Sequence, residues 1–289
     1  MPSVINAQIT YEHWHRYAFT KDYIGGKVVL DIACGEGYGS FYMAGFAARV
    51  IGIDVSEEAI RHAGDTYQKK NLQFLQSDAA AIHIGESGFA DVAVSFETIE
   101  HLPEEQQQLF LQEIKRLLKP DGVLIMSTPD KAFYSDVPGY QNPYHLKEFY
   151  NAEYEAFLKS AFQHTVLLQQ KLFPASFIWT DAMEVVRPCF INFIENRYAM
   201  KDTFSSAPMY FIALCSDAPL EKITASVLID ENATLHTELT NMIITRDRLV
   251  AALRSELHGL QQQLNGLKNE IASRNAVAGT AEDNQMVQG

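Results

Sequence analysis

Residues 27–40 read KVVLDIACGEGYGS. The run KVVLDIA is typical of a buried strand, and Gly35, Gly37 and Gly39 follow it at alternate positions. Glycines at this spacing let the backbone turn sharply and allow a ligand to approach it closely. Because a helical pattern starts directly afterwards, the stretch predicts a strand, a glycine loop and a helix. An α/β sheet builds a nucleoside site at its carboxyl edge in this way.

Strands and helices alternate along the chain after this loop. Further strands are predicted at 49–55, 71–78, 89–96, 122–129, 165–173 and 209–216. Helices are predicted near 39–48, 57–69, 104–118 and 147–161. This alternation indicates βαβ units and a largely parallel sheet. The predicted fold class is therefore α/β, with a Rossmann-like seven-stranded sheet and helices on both faces.

The sequence predicts one folded domain followed by a long helix. The domain spans 1–217, and within it 175–205 is an aromatic-rich insertion in which helices are expected. This insertion either covers a substrate site or adds packing at the sheet edge. After a linker at 218–229, a helix is predicted over 230–273, and the tail at 274–289 is expected to be disordered.

A heptad seam marks the long helix. Its apolar residues follow steps of three and four, and they are Leu257, Leu260, Leu264, Leu267 and Ile271. This spacing predicts a coiled coil, which would join a second copy of the chain or a partner enzyme. The alternative is an amphipathic helix that folds back on its own domain.

Composition and charge limit the classes of partner that the protein is expected to bind. The net charge is −13, which argues against nucleic acid, because that affinity depends mostly on Lys and Arg neutralising phosphates. Cys34, Cys189 and Cys215 form no CxxC pattern, which suits a reducing cytosol and predicts no zinc site. No signal peptide or transmembrane segment is expected, so the protein is predicted to be soluble and cytoplasmic.

Acidic residues end three successive predicted strands. Asp31 would place negative charge against the ligand, which is poor for a pyrophosphate and good for an amine or sulfonium cation. Asp54 can accept hydrogen bonds from ribose hydroxyls, and Asp78 can accept one from an adenine amino group. Each could instead cap a helix. The glycine pattern also departs from the dinucleotide fingerprint, because Ser40 stands at the sixth position.

On five motifs the chain resembles the class I S-adenosylmethionine-dependent methyltransferases over residues 10–217. The motifs are DIACGEGYG, IGIDVS, QSDAA, FADVAVSFETIEHL and LLKPDGVLIMSTP. The resemblance implies S-adenosylmethionine as cofactor, with the methionine part by the glycine loop, the ribose by Asp54 and the adenine by Asp78. The cofactor-binding residues that it implies in this domain are Asp31, Gly35, Gly37, Asp54, Val55, Asp78, Ala79 and Glu97.

Two further segments resemble a subgroup of bacterial methyltransferases of surface-polysaccharide assembly. They are YEHWHRYAF, before the first strand, and NPYHLKEF at 142–149. The resemblance implies a glycan acceptor in lipopolysaccharide O-antigen or capsule synthesis. It also implies that Arg16 and Tyr17 close over the cofactor, with Arg16 pairing the methionine carboxylate. For Arg16 the alternative is a solvated helix face.

A sugar hydroxyl is a weak acid, so a general base would help it to accept a methyl group. His145 is the predicted base, and His101 is a second catalytic candidate beside the methyl-transfer edge. For His101 the alternative is a structural role that holds the loop after the fourth strand. His145 could instead make structural hydrogen bonds, or bind a metal together with Asp130, Asp136 or Glu148. No compact ligand spacing supports a metal, so none is predicted. The functional alternatives are a quinone or secondary-metabolite O-methyltransferase and a catalytically silent scaffold.

Overall fold

A computed structural model describes residues 7–84, 87–173, 190–194, 197–201, 206–220, 223, 225–230 and 234–286. The chain divides into two units, Met1–Leu228 and Ile229–Gly289. The first unit contains the predicted sheet and the second contains the long helix.

Seven strands form the central sheet, as the sequence predicted. They are β1 (Val28–Ile32), β2 (Arg49–Asp54), β3 (Leu72–Gln76), β4 (Ala90–Phe96), β5 (Leu118–Pro129), β6 (His164–Gln170) and β9 (Tyr210–Ser216). Their order is β3-β2-β1-β4-β5-β9-β6. The first five strands in this order are parallel, and β9 is antiparallel to both of its neighbours. The carboxyl ends of β1 to β5 therefore share one edge.

Helices pack on both faces of this sheet. They are α1 (Ala7–Phe19), α2 (Lys21–Ile24), α3 (Tyr38–Met43), α4 (Glu57–Thr66), α5 (Glu104–Leu117) and α6 (Asn151–Lys159). Successive side chains of a strand point to opposite faces, and β1 shows this directly. Leu30 lies in a core cluster with Phe110 of α5, whereas Val29 lies in a second cluster with Tyr17 of α1 and Met43 of α3.

The insertion and one helix boundary differ from the sequence-based expectation. Two strands, β7 (Phe190–Ile194) and β8 (Arg197–Lys201), form a separate antiparallel pair, so the prediction of helices is wrong for these residues. The segment FINFI explains this, because aromatic and β-branched residues favour strands. Residues 174–189, 195–196 and 202–205 lie outside the described part. Helix α6 begins at Asn151 instead of 147.

The second unit contains helix α7, which spans Thr234–Met286. The helix therefore continues beyond the predicted end at 273, through most of the segment expected to be disordered. Alanines at 276, 278 and 281 favour this extension, because alanine has the highest helix propensity. Four seam residues are more than half exposed in the single chain, namely Leu257, Leu260, Leu264 and Leu267. Among the described residues, no helix combines the length and hydropathy needed to span a bilayer.

Candidate active site

The glycine loop connects β1 to α3 with a backbone that only glycine adopts readily. Gly35 and Gly37 have φ angles of 53° and 83°, in the left-handed region. A Cβ on Gly37 would also lie 2.7 Å from the side chains of Ala63 and Phe74. The backbone N–H of Gly35 donates to Asp54 Oδ2 at 2.8 Å, which ties the loop to the end of β2. Both glycines are thus required by conformation, and Gly37 also by space.

Asp31 is buried directly beneath this loop. Ser40 Oγ donates to its Oδ2 at 2.5 Å, and the Tyr17 hydroxyl donates to its Oδ1 at 3.5 Å. Burial raises the pKa of Asp31 to about 7, although these two hydrogen bonds act in the opposite direction. The serine that breaks the dinucleotide fingerprint is therefore the residue that holds this carboxyl group.

The other two predicted acids lie at the same edge of the sheet. Asp54 ends β2 and accepts hydrogen bonds from the backbone N–H groups of Gly35 and Ser56. Asp78 follows β3 and accepts one from the backbone N–H of Ala80 at 2.8 Å. Val55 and Asp78 are exposed, and Ala79 is half-buried. Asp54 and Asp78 thus lie where ribose and adenine contacts were predicted, whereas no helix begins at Asp78, so its bond to Ala80 holds a turn and is not the helix cap that was its alternative.

Helix α1 brings Tyr17 and Arg16 onto this edge. The Tyr17 ring lies so close to Gly39 that a Cβ there would be 2.0 Å from it. Arg16 is buried, which excludes the alternative of a solvated helix face. Its Nη1 donates to Gln170 Oε1 at 2.8 Å and lies 3.8 Å from a carboxylate oxygen of Glu97. The guanidinium also lies over the Tyr210 ring, 4.9 Å from its centroid.

Two donors of Arg16 are left without protein partners. Its Nε and Nη2 are buried and make no hydrogen bond within the part of the chain that the structure describes. Buried polar groups without a partner are destabilising, particularly when charged. A ligand carboxylate would satisfy both donors, because guanidinium and carboxylate pair in a bidentate manner. The methionine carboxylate of S-adenosylmethionine fits this requirement.

Glu97 directly follows β4, so it lies at the same edge of the sheet as the acids at the ends of β2 and β3. Its φ of 52° places a non-glycine residue in the left-handed region, a form of backbone strain that clusters at functional sites. Its carboxylate accepts a hydrogen bond from Ser127 Oγ at 2.6 Å, which links it to β5. Glu97 thus contacts Arg16 and precedes His101, one of the predicted catalytic histidines, by four residues.

The structure brings both predicted catalytic residues together. The rings of His101 and His145 meet nearly edge-on, with centroids 4.9 Å apart. His145 Nδ1 pairs with Glu148 Oε1 at 2.5 Å, and its Nε2 lies 2.9 Å from the amide nitrogen of Asn142. Tyr134 stacks on the His145 ring at 5.3 Å. His145 is thus held in one orientation from three sides.

Glu100 is the main residue that sequence reasoning missed. Its side chain is fully buried beside the histidines, and Thr128 Oγ1 donates to its Oε2 at 3.1 Å. Burial, and then the neighbouring charge of Glu97, raise the pKa of Glu100 well above its ordinary value. The segment FETIEHL gave no periodic signal for this role, because Glu97 has a left-handed φ and the helical turn covers only Ile99–His101.

Gln170 was also missed, and no sequence signal would have revealed it. It is the last residue of β6, and it accepts from Arg16 while its Nε2 donates to the carbonyl of Glu12 at 2.9 Å. It thereby fastens α1, and with it Arg16, to the sheet. A glutamine at the end of a strand is common, so only the tertiary structure shows this role.

The strand order, the glycine loop and the acids at one edge define the class I methyltransferase fold. A family model described as a methyltransferase domain matches residues 25–177, which is more than half of the chain. The chain belongs to this family.

Curated relatives agree with this assignment. A "Probable S-adenosylmethionine-dependent methyltransferase" of Mycolicibacterium smegmatis is 36% identical over 139 residues, which are 47% of this chain and 51% of the relative. A "Ubiquinone biosynthesis O-methyltransferase" of Actinobacillus pleuropneumoniae is 32% identical over 148 residues, which are 47% of this chain and 61% of the relative. The chain thus spans about half to three fifths of the length of these relatives.

A solved structure supports the fold independently. The PH0226 protein of Pyrococcus horikoshii OT3 superimposes with a TM-score of 0.54 at 16% identity, and the match covers 74% of this chain and 93% of that one. At this identity the similarity concerns the fold alone. The resemblance to polysaccharide methyltransferases, and every residue role given above, remain predictions.

Proposed function

We propose that this protein is an S-adenosylmethionine-dependent O-methyltransferase. The observation that carries the proposal is Arg16, whose unpartnered donors lie on the edge that also holds Asp31 and the histidine pair. If the carboxylate of the cofactor lies at Arg16 and its ammonium group lies near Asp31, each residue faces a ligand group of opposite charge. The methyl group would then lie towards Glu97, Glu100 and the histidines.

In this reaction the acceptor oxygen attacks the methyl carbon in line with the sulfonium. The carbon–sulfur bond breaks, and its electron pair stays on sulfur as a neutral thioether. The donor is already activated, so positioning supplies much of the catalysis. The remaining task is to make the acceptor hydroxyl nucleophilic. Either His145 would accept the proton of the hydroxyl, or a cation held by the histidine pair would lower the pKa of the hydroxyl.

Two classes of methyl acceptor are compatible with this proposal, and a different observation favours each of them. The NPYHLKEF resemblance favours a glycan hydroxyl of lipopolysaccharide or capsule. The names of the ubiquinone O-methyltransferase relatives favour a phenolic hydroxyl of a quinone precursor. Incubation with methyl-labelled cofactor and both acceptor types distinguishes them. Label on oligosaccharides alone supports the glycan, label on phenols alone supports the quinone precursor, and label on neither contradicts O-methyl transfer to these classes.

If the protein is instead a catalytically silent scaffold, measurements of cofactor binding should give a different result. Calorimetry with S-adenosylmethionine and with S-adenosylhomocysteine should show one site per chain if the protein is an enzyme. A folded protein that binds neither would support the scaffold instead. His145→Ala should abolish turnover and leave cofactor affinity unchanged, because His145 lies beyond the proposed cofactor contacts. The matched control is the exposed His83→Ala, which should change neither quantity.

Helix α7 is proposed to join copies of the chain, or to attach it to a partner enzyme. Its exposed leucine seam supports this assignment, because an apolar seam of this length is stabilised when another helix covers it. A cytoplasmic location is part of the same proposal. Cys34 and Cys215 support it, because both are free thiols in the described residues.

A further inference from the structure

Three side chains with metal-binding groups converge just beyond the end of β4. One ligand atom each of Glu100, His101 and His145 lies within 4.8 Å of the others. The Oε1 atom of Glu100 is 4.0 Å from Nε2 of His101, and the two histidine rings meet edge-on. The three groups come from two segments that are far apart in sequence. Tertiary structure alone therefore creates the cluster.

Hydrogen bonds place the ring proton of both histidines at Nδ1, so each has its lone pair at Nε2, where that of His145 accepts from the Asn142 amide. The Nδ1 of His101 lies 2.9 Å from the carbonyl oxygen of Tyr144, so this nitrogen carries the proton. The Nδ1 of His145 faces the Glu148 carboxylate and is protonated for the same reason. Metal-binding histidines are typically oriented by such bonds from the other ring nitrogen to a carbonyl or carboxylate. A cation at His145 would displace the Asn142 amide from Nε2.

Glu100 provides the second, independent observation. It is fully buried, and its Oε1 makes no hydrogen bond within the described part of the chain. This oxygen lies on the side of the carboxyl group that faces His101. A buried carboxyl oxygen without a partner is destabilising, and a cation beside it would supply the missing interaction. The orphaned atom is therefore directed towards the position on which the histidines converge.

We propose that Glu100, His101 and His145 bind a divalent transition-metal cation such as Mn²⁺, Co²⁺ or Zn²⁺. Two imidazoles and one carboxylate suit these ions, whereas Mg²⁺ and Ca²⁺ prefer oxygen ligands alone. Ligand atoms bind such ions at roughly 2.0–2.2 Å, so the cluster must contract by about 1 Å. The side chain of His101 is 41% exposed and has the freedom to move. The sequence-based prediction of no metal considered only local spacing.

This inference rests on the proposed methyl transfer and assigns His145 as a ligand. Three protein ligands leave coordination positions open, and an acceptor hydroxyl bound there would have a lowered pKa. The hydroxyl loses its proton to water, and its oxygen bonds to the methyl carbon as the carbon–sulfur bond breaks. The site thus solves the problem of the weakly acidic acceptor without a protein base.

The test measures cation binding by the full-length protein, apart from activity. After treatment with a chelator and dialysis, Co²⁺ is followed by its visible absorption and Mn²⁺ by electron paramagnetic resonance. One ion should bind per chain. Glu100→Gln and His101→Ala should each weaken binding at least tenfold, because each removes a ligand. His83→Ala, at an exposed site, should bind as the wild type does. Circular dichroism verifies the fold of each variant.

The outcomes separate this inference from the proposed function. The metal site would be overturned if the wild type bound no cation, or if a folded His101→Ala bound the cation with wild-type affinity. Full turnover in excess chelator would also overturn the metal site, and it would leave the proposed methyl transfer intact. Binding that depends on His101 supports the site. If such binding occurs while no acceptor is methylated, the proposed function fails and the metal site stands.

Discussion

Arg16 should determine much of the affinity for the methionine end of the cofactor. Arg16→Met keeps the approximate volume of the side chain but removes the two unpartnered donors. Hydrogen bonds between charged groups contribute roughly 1.5–3 kcal/mol, so we expect cofactor affinity to fall at least tenfold. Calorimetry measures this, and Arg49→Met, at an exposed arginine on β2, is the matched control. Equal affinities for the two variants would contradict the assignment of Arg16.

Asp31 should make cofactor binding depend on pH. Burial raises its pKa to about 7 in the free protein, so below that pH the carboxyl group is mostly neutral. A cationic cofactor favours the ionised form, and binding must then release a proton. Affinity should therefore rise with pH between about pH 5 and pH 7, by up to tenfold per pH unit. The rise should level off near pH 7, where Asp31 of the free protein is itself ionised, and affinity should fall above about 7.7–8.0, the usual α-amino pKa, because the ammonium group of the cofactor then loses its charge.

Asp31→Asn is the control for this slope. It removes the titrating group, so affinity should become weaker and independent of pH across the same interval. A slope that persists in Asp31→Asn would assign the proton to another group.

The site residues that end or directly follow a strand could be predicted from the sequence. Asp31 and Asp54 could be placed because the ends of parallel strands share one edge. The environment of Arg16 could not, since Gln170 and Tyr210 come from strands far away in sequence. The orphaned oxygen of Glu100 is also a property of packing, which no local pattern reveals.

The junction of α1 with α3 should be sensitive to a single methyl group. Gly39→Ala would place a Cβ 2.0 Å from the Tyr17 ring and push α1 away from the glycine loop. Overpacking of this kind typically costs about 1–3 kcal/mol. We expect a lower midpoint of urea unfolding together with weaker cofactor binding, because Tyr17 and Arg16 move with α1.

Gly64→Ala provides the matched comparison. Gly64 lies inside α4 with no atom within 4 Å of an added Cβ, so alanine should stabilise the protein by up to about 1 kcal/mol. If Gly39→Ala unfolded at the same urea concentration as Gly64→Ala, the close contact with Tyr17 would be refuted.

Strands of the central sheet were predicted well from the sequence, whereas the insertion and the end of the long helix were not. The strands of the central sheet were found within a few residues, because buried β-rich runs between glycine and proline are distinctive. The β7–β8 pair was missed although its two strands are adjacent in the chain, because the aromatic residues of 175–205 were assigned to helices, whereas aromatic and β-branched residues favour strands. The expected end of the long helix at 273 rested on the seam, whereas alanine content extends it.

For the molecule as a whole, the sequence predicted the seven-stranded sheet and the presence of a long C-terminal helix. The strand order β3-β2-β1-β4-β5-β9-β6 was not predicted, because the alternation of strands and helices indicates a largely parallel sheet without determining which strands are neighbours. The acceptor could not be predicted either, because one fold serves many acceptors.

Association through α7 is the remaining prediction, and it concerns the full-length protein. A helix of 53 residues extends for about 80 Å, and its seam leucines are exposed in the single chain. A second copy would bury this seam. Leu260→Lys combined with Leu264→Lys places charge within it and should convert the assembly to monomers. Sedimentation equilibrium measures the change.

The control is Gln262→Lys combined with Asn265→Lys, which adds the same charge on the opposite side of the helix. Both residues are exposed and lie outside the heptad seam. The control should therefore keep the mass of the wild type, which separates the seam from a general effect of charge. A wild type that sediments as a monomer would contradict self-association and leave a partner enzyme as the occupant of the seam. Cofactor binding should stay constant in all variants, because the proposed cofactor contacts belong entirely to the first unit.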